Sequence, residues 1–233
     1  MHKVKIPQAA IDRVLARRDT LHVFNDIDAA RTAHIVVDLQ NGFMAPGQPA
    51  EIAAARGIVG NVNRISAALR QAGGLVVYLQ NTIDANAKET WSNWFNAMSG
   101  HKRLSRMEEA FAEGSYGHSL WPDLDVQPSD LKVKKTRYGA FVQGSSDLHE
   151  ILQARDIDTL LITGTATNVC CESTARDAMM MNYKVIFVSD GTATFNDEEH
   201  NATLGIMLAQ FTDVMSTDEV VDRLSRNVRQ AAE

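Results

Sequence analysis

Two patterns of apolar residues alternate along the chain. Short, almost unbroken apolar runs occur at "HIVVDLQ" (34–40), "LVVYLQN" (75–81), "TLLITGT" (159–165) and "KVIFVSDGT" (184–192). They lack the polar–apolar alternation of a half-exposed strand, so they predict strands covered on both faces. "DLKVKKT" (130–136) and "DVMS" (213–216) bring the predicted strands to six. Between them lie stretches with apolar residues at helical spacing. These are 51–73, which stops at glycine, then 145–156, a helix from about Asn168, and 197–211. Residues 1–19 predict a short helix of mixed charge, giving a helical extension over 1–30 ahead of a domain spanning 31–233. Strands alternating with helices predict an α/β fold, a single domain of three α/β/α layers around a mostly parallel six-stranded, Rossmann-like sheet.

Residues 82–129 interrupt the alternation. They hold Trp91, Trp94 and Trp121 and a basic cluster, "HKR", at 101–103. An excursion of this length is either a surface segment with its own small packing cluster or a cover over a site.

In open parallel sheets, ligands bind beyond the carboxyl ends of the strands. The pattern places Asp38, Asn81, Lys135 and Asp190 near the ends of strands one, two, three and five, and Cys170 shortly after strand four. An acid, a cation and a thiol are thereby expected at one edge. None of the seven histidines falls at a predicted strand end facing it; His101 and His118 lie in the long excursion.

The 233 residues are 45% hydrophobic and 22% charged, enough to bury a sizeable core, with no linker or repeat to divide them. A net charge of −6 excludes the general basic face that nucleic acid requires. No apolar run approaches a membrane span, and the opening "MHKVKIPQAAIDRVLARRD" lacks the apolar core of a secretory signal, so a cytoplasmic protein is expected. There the two cysteines, adjacent at 170 and 171, are expected as free thiols; they are too few for a cysteine-rich zinc site.

A helical wheel separates the two cysteines. Cys171 shares a small-residue stripe with Ala175, Ala178 and Asn182 that would press on the sheet, whereas Glu172, Arg176 and Met179 point away. Cys170 falls on the border, in the first helical turn, where free N–H groups and the helix dipole favour a thiolate. Cys170 is therefore the expected reactive thiol and Cys171 a packing residue. Asp38 and Lys135 are the candidate base and cation beside it.

Three segments together resemble the isochorismatase-like cysteine hydrolases: "TAHIVVDLQNGFMAPG" (32–47), "KKTRYGAF" (134–141) and "LLITGTATNVCCESTARDAMMMNYKVIFVSDGTAT" (160–194). In that register Cys170 takes the nucleophile position and Cys171 the position usually held by Val. "TNVC", "EST" and the "RY" after the lysine are most similar to ureidoacrylate amidohydrolases and their relatives, which cleave small ureido or carbamoyl compounds. The metal-binding nicotinamidase branch carries an Asp-x-His after strand two. "NTIDANAKETW" has no histidine there, so neither a metal nor another cofactor is expected. The isochorismatase branch itself, which cleaves a vinyl ether, lacks the cysteine.

The resemblance implies hydrolysis of a C–N bond through a thioester intermediate, with Asp38, Lys135 and Cys170 as the catalytic triad. It also implies an oxyanion hole from the backbone N–H groups of Ala166 and Cys170, and a cis peptide at Thr165–Ala166. Asn81, Tyr138 and Gln40 are candidate substrate ligands by position, although Gln40 equally suits a brace for the strand-one turn. Arg137 is either a ligand for a substrate carboxylate or a surface charge, and Trp91, Trp94 and Phe95 are candidate pocket walls. The partners expected are a small amide or ureido substrate and further copies of the chain, in a dimer or tetramer. Competing readings are a redox pair at Cys170–Cys171, disfavoured because reactive dithiols usually leave two residues between their cysteines, a non-catalytic scaffold, and an ether hydrolase.

Overall fold

The computed structural model describes residues 1–230 and the side chains of all of these but 101, 102 and 227–230. The "HKR" cluster is thus described only at Arg103. Six strands, β1 (Thr32–Val37), β2 (Leu75–Asn81), β3 (Leu131–Lys135), β4 (Thr159–Thr165), β5 (Lys184–Ala193) and β6 (Asp213–Met215), form one sheet in the order β3-β2-β1-β4-β5-β6. Every neighbouring pair is parallel. The buried apolar runs require this, because a strand with no polar face must be covered on both sides.

Seven longer helices supply the cover: α1 (Gln8–Arg18), α2 (Val59–Gln71), α3 (His101–Phe111), α4 (Leu148–Gln153), α5 (Glu172–Met180), α6 (Asp197–Ile206) and α7 (Thr217–Gln230). On one face Val14 of α1, Leu148 of α4, Ala175 of α5 and Leu204 of α6 pack on Ala33, Ile35 and Val37 of β1. On the other, Ile65 and Leu69 of α2 and Val220 and Leu224 of α7 pack on Leu161 and Ile186. The result is a single α/β/α domain. Among the described residues, no helix is long and apolar enough to cross a membrane.

The chain departs from the predicted boundaries where the backbone turns sharply. β1 ends at Val37 rather than residue 40, because Asp38 has φ +54° and leaves the strand direction. The 51–73 stretch begins with tight helical turns over Ala53–Ile58 before α2. α5 stops at Met180, so Asn182, at φ +72° and exposed, is not part of the buried stripe. Met179, expected to point away, packs partly against the core. Asp190 lies within β5, where its carboxylate accepts from Thr217 N and Oγ1 at 2.7 and 2.8 Å and so anchors the start of α7.

β1 has β2 on one side and β4 on the other, so the connections leaving their carboxyl ends diverge. That switch point opens a crevice above the sheet. Two glycines shape it. Gly164, at φ +116°, brings β4 so near β1 that a Cβ would collide with the Val37 carbonyl oxygen, one residue before Asp38. At Gly42 a Cβ would meet the Phe111 ring at 2.7 Å, so the excursion can pack closely on the loop after β1.

Candidate active site

Asp38, Lys135 and Cys170 reach the crevice from three strand ends. Lys135 is the last residue of β3, Asp38 follows β1, and Cys170 lies in a π-helical turn, Thr167–Cys171, after β4. Lys135 Nζ reaches across β2 to lie 2.8 Å from Asp38 Oδ2, and both side chains are fully buried. The ammonium also donates to the Arg137 carbonyl at 3.0 Å. The Asn81 N–H and the Cys170 thiol also lie within hydrogen-bonding reach of the Asp38 carboxylate. The Cys170 thiol interacts with both members of the pair.

Burial sets the protonation of this cluster. It pushes the Asp38 carboxyl above its usual range, against the Lys135 charge. Lys135 stands above its usual value: burial lowers it, but Asp38 and the Cys170 thiol outweigh that. Burial pushes the Cys170 thiol up to about 12, more than Lys135 can offset. This corrects the expectation from the helix start. Burial and the Asp38 charge outweigh the pull of Lys135 and hold Cys170 toward the neutral thiol beside a base.

Cys171 points the other way. It is buried with Ala175 and Ala178 in the core, its Sγ 3.8 Å from the Thr163 carbonyl. Burial holds its thiol well above the ordinary value.

A cavity of about 200 Å³ opens onto the Cys170 thiol. Asn81, Thr136, Tyr138 and Ala166 line it from the sheet side, and the excursion supplies Trp91, Trp94, Phe95, Met98, Arg103 and Met107. Residues 82–129 therefore cover the site. Trp91 and Trp94 stack at 4.9 Å, and Trp94 Nε1 donates to Tyr138 Oη at 2.6 Å, tying the cover to the loop after β3. The peptide between Thr165 and Ala166 is cis.

Residues 32–219 match the isochorismatase domain model. This chain belongs to the isochorismatase family. A ureidoacrylate amidohydrolase (RutB) from Variovorax paradoxus is 37% identical over 201 residues, covering 81% of this chain and 77% of that protein. A RutB from Caulobacter vibrioides is 34% identical over 178 residues, covering 71% and 78%. Among solved structures, a cysteine hydrolase from Pseudomonas syringae pv. phaseolicola superposes with a TM-score of 0.74 at 28% identity, covering 86% of this chain and 95% of that one.

Within this isochorismatase fold, not every residue expected at the site reaches it. Asp38, Lys135 and Cys170 come together, and Asn81, Tyr138 and Ala166 line the cavity. Gln40 does not. Its Nε2 donates to the Asn81 and His118 carbonyls and its Oε1 accepts from Asn81 N, so the amide is consumed in bracing the turn. Arg137 does not either. Its guanidinium donates to the carbonyls of Thr136 and Thr90 and lies over the Trp91 ring, pinning the cover from outside. Trp121 packs behind the cavity, against the cluster around Phe111.

Sequence reasoning missed Arg103, the single charged side chain lining the cavity among the described residues. Its Nε donates to the Pro49 carbonyl at 2.7 Å, leaving the terminal amino groups with no hydrogen bond among the described residues. The available signal was the "HKR" cluster, but helical spacing alone does not show that Arg103 borders the cavity.

Proposed function

We propose that this protein is a cysteine amidohydrolase cleaving a C–N bond of a small amide, ureido or carbamoyl compound. One observation carries the proposal: a fully buried Asp38–Lys135 pair at 2.8 Å faces a thiol at the end of a closed-over cavity. The names of the relatives support the bond type. The domain is 31–233 with 1–30 as an extension, and a cytoplasmic setting suits its two free thiols.

Asp38 takes the thiol proton as Cys170 Sγ attacks the carbonyl carbon, because the thiol is too weakly acidic to ionise first. The N–H groups of Ala166 and Cys170 receive the developing oxyanion. Collapse breaks the C–N bond, and Asp38 gives its proton to the departing nitrogen, which leaves as ammonia or an amine. The carbonyl group stays on sulfur as a thioester. Water, deprotonated by Asp38, attacks it, sulfur leaves and regains the proton, and an acid or carbamate is released. Lys135 holds Asp38 ionised between these transfers. No step requires a metal.

The test is ammonia release across a panel of small amides and ureas, run beside a vinyl ether. The account expects turnover within the C–N panel and none of the ether; the reverse would identify an ether hydrolase.

Arg103 is the residue we assign to a substrate carboxylate. Arg103 and Cys170 line the same cavity of about 200 Å³, so one bound molecule can contact both. Arg103→Met is expected to raise KM for a carboxylate-bearing ureido compound about 10- to 100-fold, the value of one charged hydrogen-bonding contact. KM for a neutral amide should not move, and steady-state kinetics on the two substrates reads the difference.

We also propose a homo-oligomer, a dimer or tetramer. Met180 on α5 and Ile206 on α6 are apolar residues left exposed, as a subunit contact would explain. Sedimentation is expected to show more than one subunit per particle; a stable monomer at micromolar concentration would contradict it.

A further inference from the structure

The segment before α1 is laid against Thr194 and α6, the residues that in turn contact the turn carrying Cys170. His2, nearly buried, is its anchor. Its Nδ1 lies 2.7 Å from Asp197 Oδ1, its Nε2 receives the Thr194 N–H at 3.0 Å, and its ring stacks on that of His200 with centroids 4.4 Å apart. Further along the segment, Lys5 N donates to Asn201 Oδ1 at 2.6 Å, Asn201 Nδ2 donates to the Lys3 carbonyl at 3.0 Å, and Pro7 packs against Gly205.

The residues that His2 holds are those that hold the thiol's turn. His200 Nε2 donates to the Ser189 carbonyl at 3.0 Å, which leaves Nδ1 to accept from Thr167 Oγ1 at 2.9 Å. Burial, with the His2 ring adding, pushes His200 down to about 4, so it is neutral and keeps that tautomer. Thr194 Oγ1 donates to Asn168 Oδ1 at 2.6 Å, and Asn168 Nδ2 donates to Glu199 at 2.9 Å. Thr165 Oγ1 donates to the Ala193 carbonyl at 3.0 Å. Thr165, Thr167 and Asn168, three polar residues ahead of Cys170 that flank Ala166, are thus held from 193–200. Phe195, beside Thr194, lines the cavity.

We propose that His2 is a positioning residue for the nucleophile, holding the Thr165–Cys171 turn in register with Asp38 through His200–Thr167 and Thr194–Asn168. The proposal rests on the reading of Cys170 as nucleophile. His2 does not line the cavity, so its effect falls on the chemical step and not on substrate binding. A small displacement of the turn would separate Sγ from its base, and misplacements near 1 Å are costly in rate.

The test uses His2→Ala, His2→Phe and His2→Gln in the full chain. Phenylalanine keeps the stack on His200 but has no hydrogen bonds. The Gln amide can accept the Thr194 N–H and donate to its carbonyl. On the best substrate of the C–N panel, kcat is expected to fall at least about tenfold in the Ala and Phe variants, with KM within about twofold of the parent. The Gln variant should recover most of the loss. Amide exchange at 165–171 should accelerate in the Ala and Phe variants while β1 and β2 stay protected. An unchanged kcat, a loss as large in Gln as in Phe, a change confined to KM, or acceleration spread over the whole sheet would each overturn the proposal. If the wild type releases no ammonia from any compound, the amidohydrolase reading fails by itself, and the exchange measurement decides the role of His2 alone.

Discussion

Cys170→Ala is expected to abolish C–N hydrolysis, and Cys170→Ser to leave at most a trace, while the fold stays intact. The thiol is buried but neutral, so its removal strands no charge. A serine hydroxyl in the same place is a far poorer nucleophile. The neighbouring substitution has the opposite outcome. Cys171 sits among Ala175, Ala178 and the strands and does not line the cavity, so Cys171→Val should retain activity within about twofold and shift the melting temperature by only a few degrees. Ammonia release and thermal melts on the three variants check this. Activity surviving in Cys170→Ala and lost in Cys171→Val would reverse the assignment.

The second large effect concerns the ion pair. Asp38→Asn keeps the shape of the base and removes its proton chemistry, and a loss of about four orders of magnitude in kcat is expected. Lys135→Met acts through Asp38. Burial already pushes that carboxyl up and Lys135 is what opposes it, so without the ammonium Asp38 rises further and is protonated near neutral pH. The variant should therefore be nearly inactive at neutral pH and regain rate as pH rises, with the acidic limb of its pH–rate profile moved to the alkaline side. Because a protonated Asp38 carries no charge, the stability lost should fall short of the about 3–5 kcal/mol typical of a broken buried pair. A profile unchanged from the parent would show that Lys135 does not tune Asp38. Adding Asp38→Asn to Cys170→Ala should cost nothing more, as for parts of one catalytic unit.

The layers and the sheet were legible because burial on both faces leaves a direct mark in sequence: β2 and β4 run over 75–81 and 159–165 as the apolar runs do. The three strand-end residues followed from that pattern with the rule for parallel sheets. Contacts made by polar side chains were less legible. Gln40 and Arg137 stand at the right strand ends, but their side chains are engaged by backbone groups of Asn81 and Thr136 and by carbonyls of residues 118 and 90 in the excursion. Arg103 was hidden for the converse reason, since only the packing of α3 over the crevice brings it to the cavity. The resting state of Cys170 was not legible, because a helix start is visible in sequence and the depth of burial is not. His2 carries no local signal at all; its partners lie 192 and 195 residues away.

The central claim is that Cys170 carries the substrate's carbonyl group during turnover. Acid-quenching the enzyme in its first turnover of the best C–N substrate, followed by peptide mass analysis, tests it most directly. The account predicts one added acyl or carbamoyl group on the peptide holding residues 170 and 171, located at Cys170, retained in Cys171→Val and absent from Cys170→Ala. An adduct on Cys171, or full turnover by an enzyme in which neither cysteine is ever modified, would contradict it.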